Sequence, residues 1–271
     1  MDARTFLGLV RCGDALNWRM DVTPGVSAGG RFLFGGCALG AGIEAMEQAT
    51  GRTCVWATAQ YLSYALVGST LDLDVTLAVT GRHMSQARCV GRVGDTEIFT
   101  VNAALGSRPF PLRGLWEQRP DVPPLDASPV RALPRLQDNS VLTRVEVRIA
   151  DGRQFGDLDG TPGSGRTALW ARMPELLDVS AAALAVLGDF VPASIGQALG
   201  RGAGGTSLDN TLRLVHLVPT EWVLVDLHVH AIERGFGHGL AHLWAEDGSL
   251  LATASQSVIV RFWEDGPQLG R

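Results

Sequence analysis

The sequence contains no lysine; all 23 of its basic residues are arginine. That excludes a Schiff-base amine and the lysine of a Walker phosphate loop. Cysteine is scarce: Cys12, Cys37, Cys54 and Cys89 are the four, with no C-x-x-C pair. A chain of this length needs no disulfide staples, so reduced thiols in a cytoplasmic protein are expected. Charged residues make up only 19%, below the roughly 25% usual in soluble proteins. The net charge of −5 gives no basis for a nucleic-acid partner. No stretch approaches about 18 uninterrupted apolar residues, and the N-terminal MDARTFLGLVRCGDALNWRM lacks the apolar centre of a signal peptide. Neither a membrane span nor a leader is therefore expected. There is no G-x-S-x-G elbow to supply a serine nucleophile.

What is present is said twice. Each half carries a small-residue apolar helix followed by long strands: FLFGGCALGAGIEAMEQAT at 32–50, opened by Gly35 and Gly36, and VSAAALAVLGDFVPASIGQAL at 179–199. ALVGSTLDLDV and HLVPTEWVLVD align at an offset of 151, and the last strands at 153. One repeat of this length implies two fused copies of a domain. A nearly all-apolar helix among four or more strands predicts a sheet wrapped around that helix, an α+β fold. The GD at 94–95 and the DG at 247–248 read as hairpin turns. Residues 107–137 hold seven prolines and form an extended linker. VLTRVEVRIA, from Val141, reads as the first strand of the second half. GRGAGG at 200–205 reads as a flexible connection, since it follows a helix and precedes a strand, the reverse of a dinucleotide loop.

Three positions carry chemistry. Asp189 is the one charge in the second helix, where an unpaired buried carboxylate costs several kcal/mol; Gly188 and Pro192 around it allow a capping or kink role instead. Gln256 shares a strand face with Leu250, Ala252, Ala254, Val258 and Val260, and a buried amide needs partners; a satisfied core glutamine is the plain alternative. Ser207 falls in a row with Asp209, Thr211 and Arg213 that could face solvent. The first half lacks such groups: Cys37 to Ala41 lies opposite Asp189, and Ala103 opposite Gln256. Cys37 sits near a helix start but has no histidine close in sequence, and reads as an inert buried thiol.

The strings RFLFGGCALGAGIEA, QYLSYALVGS and SQARCVGRVGDTEIFTVNAAL, then GDFVPASIG, SLDNTLRLVH and EWVLVDLHVHAIERGFGHGLAHLWAEDGSLLATASQSVIVR, together resemble the acyl-CoA thioesterase II family over residues 30–262. The resemblance implies two tandem hotdog domains, each an antiparallel sheet around a central helix. They would be an N-terminal domain at 1–106 with a degenerate site, a linker at 107–137 and a C-terminal catalytic domain at 138–271. It implies that Asp189, Ser207 and Gln256 position a water against a thioester. Ser207 replaces a threonine of the family, and Thr206 and Asp209 remain neighbouring candidates for that place. The expected activity is hydrolysis of acyl-CoA, or of an acyl carrier protein thioester, in lipid metabolism. Backbone N–H groups near the Gly35–Gly36 helix start of a neighbouring hotdog unit would stabilise the oxyanion, and no cofactor is required. A non-catalytic acyl-thioester binder and an enoyl-thioester hydratase are the rival readings; hotdog hydratases pair an aspartate with a histidine, and no histidine sits near Asp189.

His228 and His230 are expected on one strand face, and His238 and His242 on the next. No cysteine or carboxylate is clearly placed to complete a metal site there, so none is expected. The strand at 223–229 is apolar on both faces, as strands buried on both sides are. A homo-oligomer of these double units is therefore expected.

Overall fold

The predicted strands join into one antiparallel sheet in this computed structural model, which is described over residues 1–132, 139–176 and 178–263. The first half opens with helix α1 (Ala3–Leu7) and strands β1 (Leu9–Arg11), β2 (Asn17–Asp21), β3 (Ser27–Ala28) and β4 (Phe32–Leu33). Helix α2 (Gly35–Thr50) follows, then β5 (Cys54–Tyr61), β6 (Thr70–Thr80), β7 (Met84–Val93) and β8 (Thr96–Gly106). The second half contains β9 (Glu146–Asp151), β10 (Arg166–Arg172), helices α3 (Ala181–Leu187) and α4 (Val191–Leu199), and β11 (Ala203–Ser207). It ends with β12 (Asp209–Leu214), β13 (Val223–Glu233), β14 (Phe236–Ala245) and β15 (Leu250–Phe262). The strand order is β1-β2-β6-β7-β8-β5-β12-β15-β14-β13-β10-β9, with β11 also paired to β15 and β3–β4 a separate ribbon.

Outward from the β5–β12 seam, β8, β7 and β6 on one side match β15, β14 and β13 on the other. The seam pairs Gln60 with Asp209 through Trp56 with Arg213. At its centre the hydroxyls of Thr58 and Thr211 lie 2.7 Å apart. These residues are 153 positions apart, the spacing of the internal repeat, so they sit on a pseudo-two-fold axis where a position meets its own counterpart. The seam also hides two strand edges that would otherwise invite unwanted pairing. Both hairpins form where expected, with Gly94 and Gly248 at φ 57° and 88°, values that a residue with a Cβ rarely adopts.

The predicted helix at 179–199 is two helices. Pro192 has no N–H for the carbonyl four residues back, so continuation through Gly188 is blocked. Instead it occupies the first turn of α4, where no donor is needed. Asp189 lies in the break. By length and composition, 181–199 could cross a membrane, but 72% of it is buried inside this fold, as suits a core helix. Helix α2 packs against α3 at near backbone contact: a Cβ on Gly36 would stand 2.7 Å from the Ala185 carbonyl oxygen.

Two further expectations are corrected. GRGAGG is not simply a connection, because Ala203–Ser207 is strand β11 along β15. Its glycines serve close approach: a Cβ on Gly205 would lie 2.8 Å from Val258. VLTRVEVRIA is a strand only from Glu146, since Val141–Arg144 is a single 3-10 turn capped by Ser140, whose hydroxyl accepts from the Leu142 N–H. The linker runs across the outer face of the second half. Val122 and Leu125 pack on Trp170, Trp222, Leu224 and Trp244, the Trp170 indole N–H donates to the Pro123 carbonyl at 3.2 Å, and Arg119 stacks on the Trp170 ring. The outer apolar row around Leu224 is thus covered by the chain's own linker and does not by itself require a second chain.

Candidate active site

Breaking the second helix at Asp189 puts a carboxylate where backbone N–H groups lack helical partners. Asp189 is 5% exposed. Its Oδ2 accepts the Gly36 N–H at 2.5 Å, from the first turn of α2. That end of a helix carries partial positive charge. Its Oδ1 accepts a short hydrogen bond from Gln256 Nε2. The same Nε2 donates to Ser207 Oγ at 3.1 Å, while Gln256 Oε1 accepts the Val191 N–H at 3.3 Å. An N–H can only donate, so Val191 fixes which end of the carboxamide is oxygen. The Gln256 amide is thereby aimed at Asp189 and Ser207 together.

The sequence-predicted trio is therefore one connected cluster, and Ser207, rather than Thr206 or Asp209, is its third member. Burial raises the Asp189 pKa to about 7, against the lowering effect of the Gln256 and Gly36 hydrogen bonds. Near neutrality the group can hold or give up a proton, as a general base must.

A cavity of about 230 Å³ opens onto this cluster. Asp189 and Ser207 line it, with Gly35, Tyr61, Phe99 and Arg131 among the other walls, so both halves and the linker contribute. Gln256 lies behind the two residues it links. Tyr61, on β5, donates its hydroxyl to the Gly35 carbonyl at 2.7 Å. Burial and then the Asp189 charge raise its pKa well above the ordinary value, so it stays protonated.

Gly36 is corrected from the predicted role. Its N–H is engaged by Asp189 and orients that carboxylate, which leaves Gly35 as the oxyanion candidate. As the first residue of α2, Gly35 has an N–H with no intrahelical acceptor. Cys37 is fully buried, and burial plus the Asp189 charge push its thiol far up, so it is not a nucleophile. No histidine is among the described residues lining the cavity, and the aspartate–histidine pair of a hydratase is not present there.

Sequence reasoning missed Tyr61 and Arg131. Tyr61 looked like any strand residue. Arg131 lies in the proline-rich linker, where no pattern marks it. The structure sets its guanidinium 5.9 Å from the Phe190 ring, with Nη1 buried and without a hydrogen-bond partner among the described residues.

The acyl-CoA thioesterase C-terminal domain family matches residues 120–260. A structure from Novosphingobium aromaticivorans assigned as a thioesterase is 34% identical, with 93% of this chain and 97% of that chain covered and a TM-score of 0.83. A conserved protein of unknown function with a hot dog fold from Alicyclobacillus acidocaldarius is 20% identical, covering 96% and 97% of the two chains at a TM-score of 0.83. The acyl-CoA thioesterase II of Mycobacterium marinum is 18% identical, covering 96% and 98% at 0.74. Among curated proteins no match is found. Fold and site define a tandem hotdog protein with one polar cluster at the boundary between its halves. The chain belongs to the acyl-CoA thioesterase II family.

Proposed function

We propose that this protein hydrolyses acyl-CoA thioesters to the free acid and CoA, with Asp189 as general base. The observation that carries the reading is the buried Asp189 carboxylate, with a pKa of about 7, at the wall of a cavity large enough for an acyl group. Asp189 takes a proton from a water in the cavity, and the resulting hydroxide oxygen bonds to the thioester carbonyl carbon. The carbonyl electrons move onto oxygen, where the Gly35 N–H at the positive end of α2 stabilises the charge. Collapse breaks the C–S bond, and the proton held by Asp189 returns to the departing sulfur. Ser207 Oγ holds the water from the cavity side, and Gln256 orients both residues without touching the acyl group. Membership of the family supports acyl-thioester hydrolysis in general; the aspartate-activated water and the CoA carrier are the finer proposal.

The deciding experiment incubates the pure protein with a panel of acyl-CoAs and a thiol reagent. Release of thiol supports the reading. Saturable binding without release points to a non-catalytic binder, and a change in enoyl absorbance without release to a hydratase. The same panel built on acyl carrier protein tests the carrier.

The pKa sets the pH profile. Below pH 7 Asp189 is protonated and cannot accept, so kcat/KM should rise about tenfold per pH unit and level off above about pH 7. A profile flat from about pH 5 to about pH 9 would remove Asp189 as the base. Gln256→Ala should lower kcat less than loss of the base does. Hydrogen bonds to charged groups are worth about 1.5–3 kcal/mol, or roughly ten- to hundredfold in rate. A loss equal to that of an Asp189 variant would show that Gln256 supports the local fold instead of orienting the base.

A further inference from the structure

On the outer face of the second half's sheet, away from the cavity, a carboxylate and two imidazoles converge. Asp226 and His228 stand two residues apart on β13 and so share a face. His242 on β14 is directly opposite Asp226 in the antiparallel register. Asp226 is buried, at 4% exposure. Its Oδ2 lies 3.1 Å from His228 Nε2 and 4.0 Å from His242 Nδ1. One ligating atom from each of the three lies within 4.8 Å of the other two. The pairing expected from sequence was different. A register shift between Val229 and Ala231 takes His230 out of the row, and the carboxylate that seemed lacking is Asp226.

We propose that Asp226, His228 and His242 form a site for a divalent transition-metal ion, with zinc as the probe. Two imidazoles and a carboxylate are borderline donors that suit zinc better than the all-oxygen preference of calcium or magnesium. Zinc–donor distances of about 2.0–2.2 Å place tetrahedral donors roughly 3.4 Å apart, between the present separations of 3.1 Å and 4.0 Å from Asp226 to the two imidazoles. Rigid sheet positions hold the three side chains. Arg166 is the competing cation, but its Nη2 lies 3.5 Å from Oδ1 and its side chain is half exposed, which leaves Oδ2 toward the imidazoles. Three protein donors leave a fourth position. A water molecule can take that position from the solvent side. The ion would tie β13 to β14 on the outer face and take no part in the cavity chemistry.

The test uses the untagged full chain, stripped with chelator and titrated with zinc by calorimetry. One saturable ion per chain is expected, with a rise in melting temperature. His242→Gln and His228→Gln should each weaken binding at least tenfold, since even outer partners of metal ligands are worth about 10–100-fold. His230→Gln should bind as wild type. Cobalt in place of zinc should give the visible spectrum of a tetrahedral site in the unmutated protein, a readout independent of any variant's folding. Thiol release should be unchanged in all three variants. Absence of saturable binding, or wild-type affinity in both His228→Gln and His242→Gln, would overturn the site and leave an ion-pair cluster.

Discussion

Asp189→Asn should fold normally and release thiol about 10²–10⁴ times more slowly, the usual worth of a positioned general base. The amide is nearly isosteric and its oxygen can still accept the Gly36 N–H, at the loss of the hydrogen bond from Gln256 Nε2, but it cannot take a proton from water. The same variant should also gain stability relative to wild type as pH rises toward neutrality. Asp189 has a folded pKa of about 7 against an ordinary 3.8. A raised folded pKa means that its contribution to stability is full below the unfolded value and is lost as pH rises to the folded one. The melting temperature of Asp189→Asn relative to wild type should therefore rise from about pH 4 to about pH 7 and then stay constant. Wild-type turnover in this variant would show that another group activates the water. A difference independent of pH would show that Asp189 is not the group titrating near neutrality.

Gly36→Ala is expected to have the second-largest effect, on both stability and activity. The added Cβ would lie 2.7 Å from the Ala185 carbonyl oxygen, 2.8 Å from Val186 Cα and 2.9 Å from Asp189 Cβ. The first two are backbone atoms of α3, so α2 and α3 must separate. Overpacking of this kind costs about 1–3 kcal/mol, and for a chain of this size each kcal/mol lowers the melting temperature by roughly 2–4 °C. Separation also draws the Gly36 N–H away from Asp189, so turnover should fall with stability. Gly156→Ala is the control, because nothing lies within 4 Å of a Cβ there. Equal melting temperatures for the two variants would refute the close helix contact.

Much of this arrangement was legible in the chain. Asp189 stood out as one charge in an apolar helix, Gln256 as one amide in an apolar row, and the two turn dipeptides fixed two hairpins. All rest on local chemistry or period-two alternation. The features that were not legible depend on distant neighbours. Nothing local distinguishes a glycine kept for flexibility from one kept for proximity, so GRGAGG read as a loop and Gly36 as an oxyanion donor. Gly188 and Pro192 marked a bend, but not that the chain would restart as a new helix. The Asp226 cluster was hidden because its third member comes from the next strand, and because the register shift at 229–231 removed the histidine that alternation had placed there.

The hydroxyl pair of Thr58 and Thr211 has a consequence for how the site can vary. In an assembly of two identical chains every substitution appears twice, and a base near the axis would face a second copy of itself. Here the residue of the first half that meets Asp189 is Gly36, a glycine that donates to the carboxylate in place of a second carboxylate that would repel it. Two halves of different sequence can hold that inequality, and two identical chains cannot. The first half is then free to reshape the cavity wall, through residues such as Phe99, without altering Asp189.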